Sequence, residues 1–173
     1  MRQADPEDDY LPSSFDDFMR REYSRALAFA RAVTHSWNEA DDLCQDAFLA
    51  AYQRWSEVSH YERPDGFVRR VIANRSVSGH RRRAAEAKAI RRIEQGRPID
   101  TDGTDPAFWA AVGRLPARQR HVIALHYLED RSVADIAAVL DIAEGTVKAH
   151  LHAGRQTLAR MLGAELDDQE VDR

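Results

Sequence analysis

The sequence predicts an all-α protein made of two small helical domains on a tether, and three observations carry that prediction. Apolar residues recur three and four positions apart over long stretches, the spacing that gathers side chains on one face of a helix. A run rich in Gly, Pro and Asp, residues 96–106, interrupts that spacing past the middle of the chain. Beyond it, Leu115–Met161 holds two amphipathic helices parted by a tight polar break, with another helix in front, the pattern of a helix-turn-helix.

Residues 1–12 are acidic and aperiodic and read as a mobile tail. The first domain, residues 13–95, opens with a helix carrying Phe15, Phe18, Met19, Glu22, Ala26, Phe29, Ala30 and Val33, with Asp16 and Asp17 in the first turn, where the helix dipole favours them. After a break at Thr34–Asn38, a second helix is expected from Glu39 to about Trp55 on the stripe Ala40, Leu43, Ala47, Ala50 and Ala51. Asp42, Gln45 and Asp46 stand three and four residues apart and project from one face of it. Two carboxylates supply too few ligands for a metal-dependent active site, and no acidic or histidine cluster of suitable spacing accompanies them, so a charged surface is the plain reading. Ser56–Gly66, rich in turn formers, is expected to be an exposed loop. Phe67–Arg83 follows as a third helix, buried through Phe67, Val68, Val71, Ile72 and Val77, with Arg69, Arg70, Arg75, His80, Arg81, Arg82 and Arg83 on its other faces. Guanidinium groups bind phosphates bidentately and stack on bases, so this helix suits nucleic acid better than a lysine-rich one would.

Residues 96–106 read as a flexible linker. The second domain, residues 107–163, begins with Phe108, Val112 and Leu115 packing inward, and Pro116 starts a helix carrying Val122, Ile123, Leu125 and Leu128. His121 and His126 on it are read as packing or surface residues, not ligands. Ser132 precedes the stripe Val133, Ile136, Ala137 and Leu140, and Asp135 three residues on completes a capping box worth about 1 kcal/mol. After the break at Asp141–Gly145, Val147, Leu151, Gly154 and Leu158 form the buried stripe of the last helix, leaving Thr146, Lys148, Ala149, His150, His152, Arg155 and Gln156 as a short or basic outer face that fits a major groove. Residues 164–173 are an acidic tail.

The net charge of −4 hides its distribution: residues 1–57 carry −6, residues 58–98 carry +7, and residues 161–173 carry −4. A polyanion meets a positive middle, and the acidic flanks suit a basic protein partner. Cys44 is the one cysteine, which excludes an internal disulfide and a cysteine-built zinc site. No apolar run is long enough to span a bilayer, and the first ten residues are acidic where a signal peptide is basic and then apolar, so a cytoplasmic protein without membrane insertion is expected. No nucleophile, base and orienting group form a recognisable set and no glycine-rich phosphate loop is present, so neither enzyme activity nor a cofactor is expected.

The segments Leu115-Pro116-Ala117-Arg118-Gln119-Arg120, Val122-Ile123-Ala124-Leu125, Ser132-Val133-Ala134-Asp135-Ile136-Ala137 and Glu144-Gly145-Thr146-Val147-Lys148 resemble the promoter-reading domain of bacterial sigma factors of the extracytoplasmic-function group, in the sigma-70 family. Regulators of the LuxR type share part of that pattern. In the first half, Ala40-Asp41-Asp42-Leu43-Cys44-Gln45-Asp46-Ala47-Phe48 resembles the sigma helix that grips the clamp coiled coil of RNA polymerase, and Gly66-Phe67-Val68-Arg69-Arg70-Val71-Ile72-Ala73-Asn74 with the arginine triplet resembles the helix that reads the minus-ten element. The two resemblances stand in the family's order across Phe15–Leu162, and a stand-alone LuxR-type regulator accounts only for the second.

The resemblance implies sigma region 2 over residues 13–95 and the region 4 helix-turn-helix over residues 107–163. Core RNA polymerase is then held by Asp42, Gln45 and Asp46. Minus-ten DNA, duplex and melted, falls to His60, Tyr61, Glu62 and Arg63 in the loop and to Arg69, Arg70, Asn74, Arg75, His80, Arg81, Arg82 and Arg83 on the helix. The minus-thirty-five element falls to Glu144, Gly145, Thr146, Lys148, Ala149, His150, His152 and Arg155. An anti-sigma factor is the further partner implied, and a stress or envelope response the setting. Phe67 stands where the family commonly has tryptophan, keeping an aromatic plug without the indole N–H. Ala149, His150 and Ala153 stand where it commonly has serine, arginine and arginine, which weakens the phosphate grip or makes it pH-sensitive through His150 and His152.

Overall fold

The computed structural model describes residues 14–34, 36–86 and 105–163, and among these every element is helical. Four helices form the first module: α1 (Phe15–Thr34), α2 (Trp37–Gln53), the single turn α3 (Trp55–Val58) and α4 (Pro64–Glu86). Four more form the second: α5 (Pro106–Val112), α6 (Ala117–Glu129), α7 (Val133–Leu140) and α8 (Glu144–Leu162). The tails and nearly all of the expected linker lie outside the described residues.

In the first module α1 packs on both α2 and α4, burying Phe18, Phe29, Phe48, Val68 and Ile72. Phe15, Phe18, Phe48 and Trp55 close one end of this core with ring centroids 5.0 to 6.4 Å apart. Helix α2 starts two residues earlier than the spacing predicts, because Ser36 caps it by accepting the Glu39 N–H at 3.3 Å. The loop expected over Ser56–Gly66 is shorter than predicted. Trp55–Val58 makes a turn of helix and α4 begins at Pro64, a residue whose missing N–H costs nothing in a first turn. Val58, Pro64 and Gly66 are buried as a result.

The second module follows its sequence pattern closely. Asp105 caps α5 by accepting the Ala107 N–H at 2.8 Å, so that helix starts at Pro106. The expected capping box is present: Ser132 Oγ accepts the Asp135 N–H at 3.1 Å and donates to the Asp135 carboxylate at 2.8 Å. Asp130 and Asp141 end α6 and α7 in the left-handed conformation, which aspartate tolerates better than most residues. Gly154 lets α8 touch α6, since a Cβ there would stand 3.0 Å from Ile123 Cγ1. The buried set of α8 is Val147, Leu151, Gly154 and Leu158, and that of α7 is the predicted stripe with Val139 added.

Val139 is buried because the modules pack together, α6 against α1 and α7 against α4. His121 sits in this junction, 1% exposed, with Nε2 2.9 Å from Ser76 Oγ. Ser76 spends its own proton on the Ala73 carbonyl at 2.9 Å, so the ring donates to it from Nε2. Burial, with Arg120 and Arg118 nearby, pushes the His121 imidazole down to about 3.

Replacing Ser132→Ala removes the α7 cap and lowers stability by about 1 kcal/mol in denaturant unfolding; an unchanged midpoint would show that the cap contributes nothing. Because the unfolded chain protonates His121 near its ordinary value and the folded chain does not, stability is lost as pH falls below about 6.5, by up to about 1.4 kcal/mol per pH unit. His121→Gln should flatten that part of the curve between pH 7 and pH 5, and an identical slope in the variant would remove His121 as its source.

Candidate nucleic-acid interface

Helix α2 turns Ala40, Cys44, Ala47, Phe48 and Ala51 into the core, which leaves Asp42, Gln45 and Asp46 exposed together on its outer side. Leu49 and Tyr52, 54% and 62% exposed, continue the same face by one and two further turns. Neither stands among the residues expected at this face, although a large apolar residue lying off the alanine stripe was the available signal. Asp46 also pairs with Arg75 of α4, so the acidic face borders the arginine helix.

The short connection between α3 and α4 presents an aromatic platform. The Tyr61 hydroxyl donates to Glu57 at 2.5 Å and its ring lies 6.4 Å from that of Phe67, over which the Arg54 guanidinium stands at 5.4 Å. Hydrogen bonds from Tyr61 and from Arg54 hold the Glu57 carboxyl below its usual range. His60, Glu62 and Arg63 are exposed beside it, His60 with Nδ1 2.9 Å from the Ser56 carbonyl.

The arginines of α4 divide in a way their spacing does not foretell. Asn74 and Arg75 are exposed. His80 and Arg81, Arg82 and Arg83 lie on α4, but their side chains fall outside the described residues. The expectation that Arg69 sits on an outer face is corrected: it is 1% exposed, its Nη1 2.9 Å from Glu22 and its Nε 2.7 Å from Glu129 of the second module. Arg131 continues the chain of charge by pairing with Glu129 at 2.8 Å and with Asp65. Burial raises the Asp65 carboxyl, and Arg131, Arg69 and Arg63 more than offset this and hold it below the usual range. Arg63 pairs with Asp135 at 2.7 Å, and Arg70 donates to the carbonyls of Val139 and Ala138 at 3.1 and 2.5 Å. In this arrangement Arg63, Arg69 and Arg70 all face the second module.

The last helix keeps its outer face open. Glu144, Gly145, Thr146, Lys148, Ala149 and His152 are exposed, and His150 and Arg155 are half-buried. Arg155 is braced from α6: its Nε donates to the Tyr127 hydroxyl at 2.7 Å, and Nη2 lies 3.4 Å from His126 Nε2. His126 Nδ1 in turn donates to the Arg131 carbonyl at 3.1 Å. Neither brace was legible, because each joins residues 28 or 29 positions apart. Among the described residues no group of three or more His, Cys, Asp or Glu could hold a metal ion, and none of their helices is long and apolar enough to cross a membrane.

Comparison with known proteins accounts for both modules. Residues 18–86 match the family model for Sigma-70 region 2, and residues 106–158 that for Sigma-70, region 4. The ECF RNA polymerase sigma factor SigM of Mycobacterium tuberculosis is 31% identical over 155 residues, spanning 87% of this chain and 78% of its own. The RNA polymerase sigma-E factor of Streptomyces coelicolor is 30% identical over 165 residues, 92% of each chain. In fold, the chain is similar to the sigma factor RpoE of Bartonella quintana, solved with the anti-sigma factor NepR, with a TM-score of 0.74 over 88% of this chain and 98% of that one at 24% identity. With both region models matched in order and a 31% identical relative covered over most of its length, the chain belongs to the extracytoplasmic-function sigma factors of the sigma-70 family.

Proposed function

We propose that this sigma factor divides promoter selection between its modules, with α2 docking on core RNA polymerase, α8 reading a minus-thirty-five element, and α4 with the Tyr61 platform holding the opened minus-ten strand. The observation that carries this reading is the pair of outward faces on helices whose opposite sides are locked in the core: Asp42, Gln45 and Asp46 on α2, and Thr146, Lys148, Ala149 and His152 on α8. A carboxylate face suits arginines of a basic partner. A helix with small and basic outer residues enters a major groove and contacts phosphate through Arg155. The Tyr61 and Phe67 rings offer a surface on which an unpaired base stacks, worth about 1–3 kcal/mol per base.

Such a factor supplies no bond-making step of its own; it works in the cytoplasm beside the polymerase and the chromosome. An anti-sigma protein is the second partner we assign, by likeness to the Bartonella quintana complex and to that of CnrH with the cytosolic domain of CnrY. A stand-alone LuxR-type regulator is not favoured, since it leaves residues 18–86 without a role.

Two experiments test the assignment. Replacing both Asp42→Arg and Asp46→Arg should abolish co-purification with core polymerase while the circular dichroism stays that of the unaltered protein; full retention would remove α2 as the docking helix. Arg155→Ala should weaken binding of the holoenzyme to its promoter and reduce the slope of log affinity against log salt by about 0.9, the value for one phosphate left unneutralised. A slope identical to that of the parent would show that Arg155 touches no phosphate.

A further inference from the structure

Arg155 is held firmly and yet has no acid beside it. Arg69 and Arg131 are each set between two carboxylates. Among the described residues Arg155 is held instead by two ring side chains of α6, the Tyr127 hydroxyl 2.7 Å from Nε and His126 Nε2 3.4 Å from Nη2. Its charge is fixed in place without being neutralised. In a planar guanidinium Nε and one Nη share an edge, and the two Nη groups share the end. The contacts to α6 use the Nε edge, so the end with Nη1 stays available for a bidentate grip on an anion.

Tyr127 is placed to add a donor to that grip. Its oxygen accepts from Arg155, and among the described residues nothing accepts its own proton. Edge-on contacts with Phe108 at 5.7 Å and with His126 at 4.9 Å fix the ring, while the residue remains 42% exposed. A hydroxyl that accepts from a guanidinium is polarised into a stronger donor. Lys148 and His152, seven and three positions before Arg155, are exposed on the same flank of α8.

We propose that Tyr127 is a DNA-contacting residue supplied by α6, its O–H gripping, together with the open end of Arg155, one backbone phosphate at the edge of the minus-thirty-five element. The proposal rests on Arg155 meeting phosphate, and it adds a second donor from a different helix. His126 touches Arg155 and not the phosphate, so it is a positioning residue. The two-helix origin matters for reading: a phosphate bound from α8 alone leaves that helix free to roll about its axis, whereas one bound from α6 as well fixes the register in which α8 enters the groove.

The test uses holoenzyme and a promoter duplex that it selects from genomic fragments, prepared as a set in which one phosphate at a time across the minus-thirty-five element is replaced by an uncharged methylphosphonate. For the parent, the gripped position should show as a loss of affinity of about tenfold. Tyr127→Phe keeps both ring contacts and the Arg155 charge and removes only the hydroxyl. It should weaken binding to the unmodified duplex by about fivefold and erase most of the penalty at that position, leaving the other positions as in the parent. Arg155→Ala should erase the penalty at the same position, and adding Tyr127→Phe to it should cost no more than about twofold further. A loss in Tyr127→Phe that leaves every penalty in place, or no loss at all, makes Tyr127 merely structural and overturns the proposal. If Arg155→Ala erases a penalty that Tyr127→Phe leaves intact, or if the two act at different phosphates, the shared site is wrong and the Arg155 contact stands. If Arg155→Ala leaves every penalty in place, the Arg155 contact falls and the shared site falls with it.

Discussion

The arrangement of the two modules depends on one buried guanidinium. Arg69 is sealed from water between Glu22 of its own module and Glu129 of the other, and a charge so placed is tolerable only with carboxylates on both sides. The backbone is shaped to deliver them. Asp130 ends α6 in the left-handed conformation, and the turn it makes puts Glu129 and Arg131 into the junction while Asp130 itself stays exposed. Pro64 starts α4 early enough that Asp65 and Gly66 lie against the second module and not in a loose loop. Deleting both carboxylate partners would leave an uncompensated buried charge, typically costing about 3–5 kcal/mol or more. The same network set against apolar residues of equal size would gain little, so its contribution is to choose one packing of the modules over others.

What the sequence made legible is what local spacing controls. The stripe Val147, Leu151, Gly154 and Leu158 is the buried set of α8, and the Ser132–Asp135 box caps α7, because both depend only on residues within a few turns of each other. Val139 lies off its predicted stripe and is buried all the same, since its neighbour is Gly66, far away in the chain. Arg69 and Arg120 were hidden for the same reason. A charged residue defaults to the surface, and nothing near either one in sequence announces a partner 60 or 87 positions distant. The helix starts at Ser36 and Pro64 were local signals, a Ser-x-x-Glu box and a first-turn proline, but turn-forming neighbours made them read as loop. His121 and His126 read as packing or surface residues with no choice between the two, and their partners, Ser76 and the Arg131 carbonyl, were not legible.

Charge distribution reconciles an acidic chain with an anionic partner. The net −4 is compatible with nucleic acid because residues 58–98 alone carry +7, and part of that excess is neutralised internally by Glu129 and Asp135 of the second module. Arginine is what makes this dual use possible. Its planar fork matches a carboxylate, a pair of helix-end carbonyls or a phosphate with the same five donors, whereas an ammonium offers a point charge without that geometry. Arg70 on Ala138 and Val139 shows the carbonyl form of the match, and Arg69 on Glu22 and Glu129 the carboxylate form.

A single residue joins the two ends of this architecture. The Arg131 side chain grips Asp65 and Glu129 in the junction, while its main-chain carbonyl accepts from His126, whose other nitrogen faces Arg155 on the recognition helix. Nδ1 donates to that carbonyl, which leaves Nε2 on the side of the Arg155 guanidinium. The Tyr127 hydroxyl holds Arg155 from the other side. The position of Arg155 on α8 is therefore tied, through one imidazole and one peptide group, to the segment that packs on α4. All these contacts are hydrogen bonds and ion pairs with discrete partners, so Asp65, Glu129 and His126 together hold the segment after α6 in one arrangement.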